Sequence, residues 1–248
     1  MVRKSRKGRE EWKIYKNVFD QFTERLIFNL STQGYFKELI QPIALGKEAN
    51  IFLATTNQNE HVIVKIYRLE NCNFNKMYSY INQDPRFTGL ENQKRKIIFN
   101  WVQREYRNLM LAREKIKVPK PIHFKENIII MELIGDEEPS PQLKNKEPEN
   151  PKEFLKKILK NMEMLLEAGL VHGDLSDFNI LNYNEEPIFI DFSQATPIKT
   201  QNAKELLERD LNNVLNAFKR TLKINIEKTK EKILKKYDDL TTDTQNQT

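Results

Sequence analysis

The chain has 248 residues, 39% of them hydrophobic and 31% charged, which is enough to bury the core of one two-lobed domain or of two small ones. Its formal net charge is +6, a balance that suits an anionic partner such as nucleic acid. No apolar run approaches the roughly 20 residues that span a bilayer, the basic start lacks the apolar core of a signal peptide, and the single cysteine excludes an internal disulfide. The sequence therefore predicts a cytoplasmic protein without membrane contact.

Residues 1–37 are predicted to form a basic arm and a short helix. Five of the first nine residues are Lys or Arg, a composition that suits either a solvated tail or a contact with nucleic-acid phosphates. The helix is expected from Asp20 to Thr32, because apolar residues recur there every four positions and Asp20 is a suitable N-cap.

Residues 38–134 are predicted to form a small antiparallel sheet with one long helix. Two strand-like runs flank residues 46–50, a third covers His61 to Tyr67, and a hairpin is expected over residues 122–134. In the third strand, the period of two places Lys65 on the same face as Ile63.

The long helix is expected from about Lys94 to Lys115. Glu105 falls within its apolar stripe, and a carboxylate in that position is costly unless it is paired. Lys65 is the partner that we predict, with a neighbouring arginine at the helix edge as the alternative. Residues 71–92, which precede the helix and contain Asp84-Pro85-Arg86-Phe87, are predicted to be a mobile loop near the functional site.

Residues 135–240 are predicted to be mainly helical, with a polar tail at 241–248. Residues 135–150 are the expected connection between the lobes. A helix then begins at Pro151, with Asn150 as N-cap and Glu153 completing a capping box. Two further helices are expected, from Ala203 to Phe218 and from Ile226 to Tyr237.

The residues with the clearest chemistry follow the first of these helices. Residues 172–181 read His-Gly-Asp-Leu-Ser-Asp-Phe-Asn-Ile-Leu, and residues 188–193 read Ile-Phe-Ile-Asp-Phe-Ser. Asp174, Asn179 and Asp191 thus lie between apolar flanks typical of short buried strands, with a turn predicted at Pro187. The spacing resembles the catalytic and metal-binding loops of protein kinases. A lone Asp in such company is usually a cap or turn residue, but three polar groups in this register favour phosphoryl transfer.

Four motifs together resemble the RIO family of atypical serine/threonine protein kinases, most closely its Rio-one subfamily. They are residues 46–50, 84–87, 131–135 and 170–181, in order within residues 20–220. The resemblance implies an α+β fold: a trimmed, two-lobed protein-kinase-like structure with an antiparallel β-sheet N-lobe, one long helix and a mainly helical C-lobe.

The resemblance also implies roles for individual residues. Lys65 is expected to bind phosphate with Glu105 as its partner, and Asp174 to be the catalytic aspartate. Asn179 and Asp191 are expected to hold the metal ion, and Asp210 to brace the catalytic loop. The remaining cofactor-binding residues are predicted from the phosphate loop and from a backbone contact to adenine: Gly46, Lys47, Glu48, Ala49, Glu132 and Ile134. The phosphate loop lacks the two hydroxyls usual in the family, because Ala44 and Leu45 precede Gly46.

The predicted function is that of an atypical serine/threonine kinase and ATPase. It would use ATP with Mg²⁺ or Mn²⁺ and pass phosphate to water, to itself, to a nearby carboxylate such as Asp191, or to a protein. The expected partner is the pre-ribosomal small subunit or its rRNA, since family members act there. One alternative is a small-molecule kinase of the aminoglycoside or choline type, and another is a non-catalytic rRNA-binding scaffold. Few residues separate Asp191 from the helix at Ala203, which favours an ATPase switch over a signalling kinase.

Overall fold

A computed structural model describes residues 19–70, 72–84, 86–87 and 93–243. Its elements are, in chain order, α1 (Gln21–Thr32), β1 (Glu38–Leu45), β2 (Ala49–Thr55), β3 (His61–Tyr67), α2 (Phe74–Asn82), α3 (Lys94–Ala112), β4 (Pro121–Lys125), β5 (Ile128–Glu132), α4 (Pro151–Glu167), β6 (Leu170–Val171), β7 (Ile180–Tyr183), β8 (Glu186–Phe189), a 3₁₀ turn (Phe192–Gln194), β9 (Thr196–Pro197), α5 (Ala203–Phe218) and α6 (Ile226–Asp243). No helix among these is long and apolar enough to cross a bilayer.

The N-lobe is a five-stranded antiparallel sheet in the order β1-β2-β3-β5-β4. Strand β3 is central, so Lys65 lies between Ile51 of β2 and Ile129 of β5. One face of β3 packs against α1 through a buried apolar cluster. The opposite face carries Lys65 towards α3, as the alternation of the strand predicts.

Helix α1 begins where the sequence predicts, because the side chain of Asp20 accepts a hydrogen bond from the Thr23 N–H. Helix α3 ends at Ala112, three residues before the predicted end. Its buried apolar residues belong to the main core, which continues into the C-lobe. The helix therefore links the sheet to the loops of the C-lobe.

The prediction of a mobile loop over residues 71–92 is wrong for its first half, where α2 is found. The side chain of Asn73 caps this helix by accepting a hydrogen bond from the Lys76 N–H. Met77 and Ile81 are buried, at 1% and 0% exposed. Two apolar anchors in nine residues give too little periodicity for the helix to be recognised from sequence.

Two local details of the C-lobe also differ from the prediction. The turn between β7 and β8 is made by Asn184 and Glu185, both in the left-handed region (φ 51° and 62°), as a two-residue hairpin turn requires, whereas Pro187 lies within β8. Asn150 caps α4 through the Glu153 N–H as predicted. The capping box is not completed, because the Asn150 N–H donates to Glu185 instead.

The last helix, α6, packs against both α4 and α5 in the C-lobe. Helix α5 has the predicted bounds, and α6 continues past Tyr237 to Asp243. Ion pairs from α6 reach α4 and α5, including Lys232 with Glu163 at 2.7 Å. The segment 135–150 joins the lobes and contains two isolated β-bridges, one of them to β7.

Candidate active site

A buried lysine joins two carboxylates at the junction of the lobes. The Lys65 Nζ lies 2.8 Å from Oε1 of Glu105 and 2.9 Å from Oδ1 of Asp191. The second oxygen of Glu105 accepts a hydrogen bond from the Tyr67 hydroxyl at 2.7 Å. The side chains of Lys65 and Glu105 are only 7% and 1% exposed, whereas that of Asp191 is 38% exposed. The predicted Lys65–Glu105 ion pair is thus confirmed. Asp191 is the most exposed of the three charged side chains.

The charges in this cluster hold one another ionised. Burial opposes the charge on Lys65, but the carboxylates of Asp191 and Glu105 outweigh it and hold the pKa of Lys65 well above its ordinary value. Burial likewise opposes ionisation of Asp191, and Lys65 with other donors nevertheless lowers the pKa of Asp191 to about 2. Asp191 is therefore a carboxylate at neutral pH, the form in which it binds a cation.

Asp191 has an unusual backbone conformation, with φ 61° and ψ 68°. The left-handed region is unfavourable for residues with a Cβ, although Asp and Asn tolerate it best. Asp191 lies two residues after the end of β8 and is the N-cap of the 3₁₀ turn, whose Ser193 N–H lies 3.4 Å from Oδ1 of Asp191. The strained residue is thus the one that carries the candidate metal ligand.

Asp174 and Asn179 lie on one loop between β6 and β7. The Nδ2 of Asn179 donates to the backbone carbonyl of Asp174 at 2.8 Å, so its Oδ1 is the atom left for a cation. The Nε2 of Gln194 donates to Oδ2 of Asp174 at 2.8 Å. Burial, and then the charge of Asp191, raises the pKa of Asp174, which is the direction that suits a general base.

Side chains of helix α5 hold this loop in place through hydrogen bonds to the backbone of the loop. Oδ2 and Oδ1 of the fully buried Asp210 accept hydrogen bonds from the N–H groups of Gly173 and Leu175, at 2.7 and 2.8 Å. This is the contact that the family resemblance implies. Arg209 donates to the Gly173 carbonyl from the same helix. Gly173 has φ 77°, and a Cβ there would lie 2.8 Å from the Gln194 carbonyl oxygen, so the loop requires glycine.

His172 is buried behind the loop, at 2% exposed. Its Nε2 lies 3.0 Å from the Ile190 carbonyl oxygen, and the described residues offer no partner to Nδ1. Burial lowers the pKa of His172 to about 4, because a second proton on the ring would have nowhere to donate. The histidine is therefore a neutral donor that joins the candidate catalytic loop to Ile190, the residue directly after β8.

The lowered pKa of His172 predicts that the folded protein becomes less stable as the pH falls. A histidine whose pKa is 6.5 unfolded and about 4 folded contributes stability above pH 6.5, and that contribution is lost as the pH falls towards 4. The linked change is about 3 kcal/mol. Urea unfolding of the wild type and of His172→Asn, at pH 7 and pH 4.5, should show a smaller acid-dependent loss in the variant. Equal losses in both proteins would contradict a depressed pKa.

The predicted phosphate loop is the turn between β1 and β2. The Gly46 N–H donates to the Ala49 carbonyl at 3.0 Å, and a Cβ at Gly46 would lie 2.7 Å from that oxygen. The turn therefore requires glycine at this position. Lys47 is exposed and Glu48 is half-buried. Nothing in this geometry assigns their side chains to a phosphate.

The predicted adenine contact lies at the end of β5. The side chain of Glu132 is turned back to the Lys120 N–H at 3.0 Å. The Ile134 carbonyl accepts a hydrogen bond from the Ser140 N–H at 2.8 Å, and the Ile134 side chain is buried. A contact with adenine would therefore use the remaining backbone groups of this segment, as the sequence argument assumed.

The donor set fits a magnesium ion better than a zinc ion. Within residues 19–70, 72–84, 86–87 and 93–243, no group of three or more His, Cys, Asp or Glu side chains is placed to hold a metal. Asn179 and Asp191 are hard oxygen ligands. Mg²⁺ is usually held by one or two such ligands together with substrate phosphates and water.

Sequence reasoning missed three side chains of the site. Tyr67 binds Glu105, Gln194 binds Asp174, and Arg209 binds the loop backbone. A signal existed for Tyr67, because it lies two residues after Lys65 and so on the same strand face. Gln194 and Arg209 offered none, since their partners lie 20 and 36 positions away along the chain.

The sheet with its central lysine, the long helix with its glutamate and the two loops with their carboxylates define a protein-kinase-like fold. A solved structure with this fold is the Rio2 kinase-ADP/Mg²⁺-phosphoaspartate complex from Chaetomium thermophilum, at a TM-score of 0.63, 19% identity, and coverage of 90% of this chain and 75% of that one. The family model described as the RIO domain matches residues 50–232. The chain belongs to the RIO family, and the predicted fold class and family are confirmed.

Curated relatives narrow the assignment to the kinases of this family. The RIO-type serine/threonine-protein kinase Rio1 of Methanocaldococcus jannaschii is 39% identical over 222 residues, which cover 89% of this chain and 76% of the relative. The protein of the same name from Haloferax volcanii is 38% identical over 216 residues, covering 86% and 74%. The chain is therefore a RIO-type serine/threonine kinase by family.

Proposed function

We propose that this kinase binds Mg-ATP between its lobes and drives a conformational switch by transferring the γ-phosphate. The observation that carries the proposal is the joining of Lys65 to both Glu105 and Asp191, within 2.9 Å, beside the loop that carries Asp174. A cation fixed between two lobes is what the α- and β-phosphates of a nucleotide require.

Each polar group then has a distinct task. Lys65, held by Glu105, would bind the phosphates, and Asn179 with Asp191 would hold Mg²⁺. The metal ion would neutralise charge that develops on the phosphate oxygens. Asp174 would orient the attacking hydroxyl or water and accept its proton.

The segment after Asp191 supports a switch rather than a signalling kinase. Residues 192–202 are all that separate Asp191 from α5, and residues 192–196 are buried. The Ile198 N–H donates a hydrogen bond to the Gly169 carbonyl, and the Ile198 carbonyl accepts one from the Tyr237 hydroxyl. A segment packed in this way presents little surface on which a peptide could dock, so water or a carboxylate of the site becomes the more accessible acceptor.

Asp191 is the carboxylate that we assign as such an acceptor. It is ionised and partly exposed, and the solved Rio2 structure from Chaetomium thermophilum is a phosphoaspartate complex. Attack by an Asp191 oxygen on the γ-phosphorus would form an acyl phosphate and release ADP, and water would then hydrolyse the acyl phosphate to inorganic phosphate and the free carboxylate.

The proposed partner is a pre-ribosomal small subunit or its rRNA. The chain carries a net charge of +6, which favours binding to an anionic surface. The basic residues 1–9 lie outside the described residues. Small-molecule kinase activity remains the second candidate, and phosphate release stimulated by ribosomal particles rather than by amino alcohols or aminoglycosides separates the two.

Dissociation from the particle tests the switch. We expect ATP to release the protein from small-subunit particles, and a non-hydrolysable analogue to retain it, because only transfer of the phosphate changes the site. The amount of protein that sediments with the particles measures this. Equal release by both nucleotides, together with rapid multiple-turnover phosphorylation of a protein substrate, would contradict the switch.

A further inference from the structure

A buried polar network joins α3 to the turn that follows the metal-binding aspartate. Arg104 and Asn108 of α3 are both 0% exposed. Their side chains donate to backbone carbonyls of the turn: Arg104 Nη1 to Ser193 at 2.8 Å, and Asn108 Nδ2 to Phe192 at 2.9 Å and to Ala195 at 2.7 Å. Three of the four carbonyls of residues 192–195 are therefore held by one helix.

The other end of the network is the Asp84–Phe87 motif, to which the mechanism assigns no role. Asp84 is 1% exposed, and its Oδ2 accepts a hydrogen bond from Arg104 Nε at 3.0 Å. Arg86 binds Asp84 through Nε and Nη2 at 2.8 and 2.6 Å. The same Nη2 donates to Oδ1 of Asn108 at 2.8 Å. The motif thus fixes both α3 side chains that hold the turn.

A network that served only to fill the protein interior would not need charged and amide side chains. Buried charges cost free energy unless they are fully paired, and apolar residues of similar volume are often as stabilising. Here the bonds converge on the backbone directly after Asp191, whose left-handed conformation depends on its neighbours. Arg104 and Asn108 also flank Glu105 on the helix, so the partner of Lys65 and the support of the turn belong to one rigid element.

We propose that Arg104 and Asn108, anchored by Asp84 and Arg86, are positioning residues that aim the Asp191 carboxylate at the metal site. The inference rests on the proposed function, because it concerns the metal ligand of that site. It assigns to the Asp84–Phe87 motif the task of coupling the placement of α3 to metal binding. None of the four side chains needs to touch the nucleotide.

Metal affinity, rather than turnover, is the measurement that tests this role. The variant Asn108→Asp has nearly the same shape and keeps an oxygen for Arg86, but it removes the donor to the two carbonyls. Mn²⁺ binding to the full chain is measured by electron paramagnetic resonance with saturating ADP. We expect an affinity about tenfold lower in the variant, the range found when groups that orient a metal ligand are removed.

Two further variants make the result decisive. Leu30→Ala opens the separate core between α1 and the sheet, so it should lower the melting temperature and leave Mn²⁺ affinity unchanged. Arg86→Met acts at the more exposed end of the network, at 23% side-chain exposure, and tests the same effect if Asn108→Asp does not fold. Weakened Mn²⁺ binding in Asn108→Asp or Arg86→Met, but not in Leu30→Ala, would support positioning.

Failure of this inference is distinct from failure of the proposed function. If the wild type binds Mn²⁺ with ADP and the network variants bind it equally well, the network does not position Asp191. The same conclusion follows if Leu30→Ala loses as much affinity as they do. If the wild type binds no Mn²⁺ with ADP, the proposed nucleotide site is itself wrong, and the inference falls with it.

Discussion

Replacing Asp174 by Ala is expected to lower ATP turnover by about 10²-fold or more, the contribution typical of a positioned catalytic base. The affinity for ATP should hardly change, because Lys65 and the backbone are the groups proposed to bind the phosphates. The carboxylate is held in place by Gln194 at 2.8 Å, and its pKa is raised by burial. Steady-state phosphate release and equilibrium nucleotide binding measure the two effects separately.

The same loop offers a matched control for this variant. Asp177 lies three residues further on, and its backbone carbonyl accepts a hydrogen bond from the Lys144 N–H. Asp177→Ala should therefore keep turnover close to that of the wild type. If Asp174→Ala turned over as fast as Asp177→Ala, Asp174 would have no part in the reaction.

Replacing Lys65 by Met is expected to abolish turnover and also to destabilise the fold. Among the described residues, Glu105, at 1% side-chain exposure, would keep only the Tyr67 hydroxyl as a hydrogen-bond partner. Removing one member of a buried ion pair typically costs about 3–5 kcal/mol, because the other charge is left uncompensated. Urea denaturation measures this loss, and phosphate release measures the loss of activity.

A double variant separates the two losses. Adding Glu105→Gln to Lys65→Met removes the stranded charge while keeping an acceptor for Tyr67, so stability should recover in part. Turnover should not recover, because the lysine proposed to bind the α- and β-phosphates is still missing. A single variant as stable as the wild type would show that the pair is not buried as described.

The main features of the site can be predicted from local sequence periodicity and from the spacing of residues within short motifs. The period of two in β3 and the stripe of α3 favour Lys65 as the partner of Glu105 over a neighbouring arginine, because each pattern fixes the direction of one side chain. The spacing from His172 to Asn179 predicts the catalytic loop in the same way. These predictions needed no knowledge of how the lobes pack.

The buried network could not be predicted because it depends on tertiary packing. A helix stripe marks one buried face, yet α3 lies between the sheet and the turn after Asp191, so Arg104 and Asn108 are buried as well. Their partners in residues 192–195 are backbone carbonyls, which leave no mark on the sequence. The left-handed conformation of Asp191 could not be predicted either, because glycine is the residue that would have indicated it.

The placement of α3 therefore has two consequences for the site. Through Glu105 it sets the position of Lys65, and through Arg104 and Asn108 it holds the turn that follows Asp191. Any movement of this helix would disturb the lysine and the candidate metal ligand together. A site built in this way would suit the proposed switch, in which the nucleotide state is transmitted to a partner.

The most direct test of the central claim is the fate of labelled γ-phosphate on Mg-ATP given to the wild type, Asp174→Ala and Lys65→Met. We predict that only the wild type transfers the label, to water or to the protein, and that chelation of Mg²⁺ stops the transfer. Absence of transfer by the folded wild type with small-subunit particles present, or equal transfer by all three proteins, would contradict the proposed site.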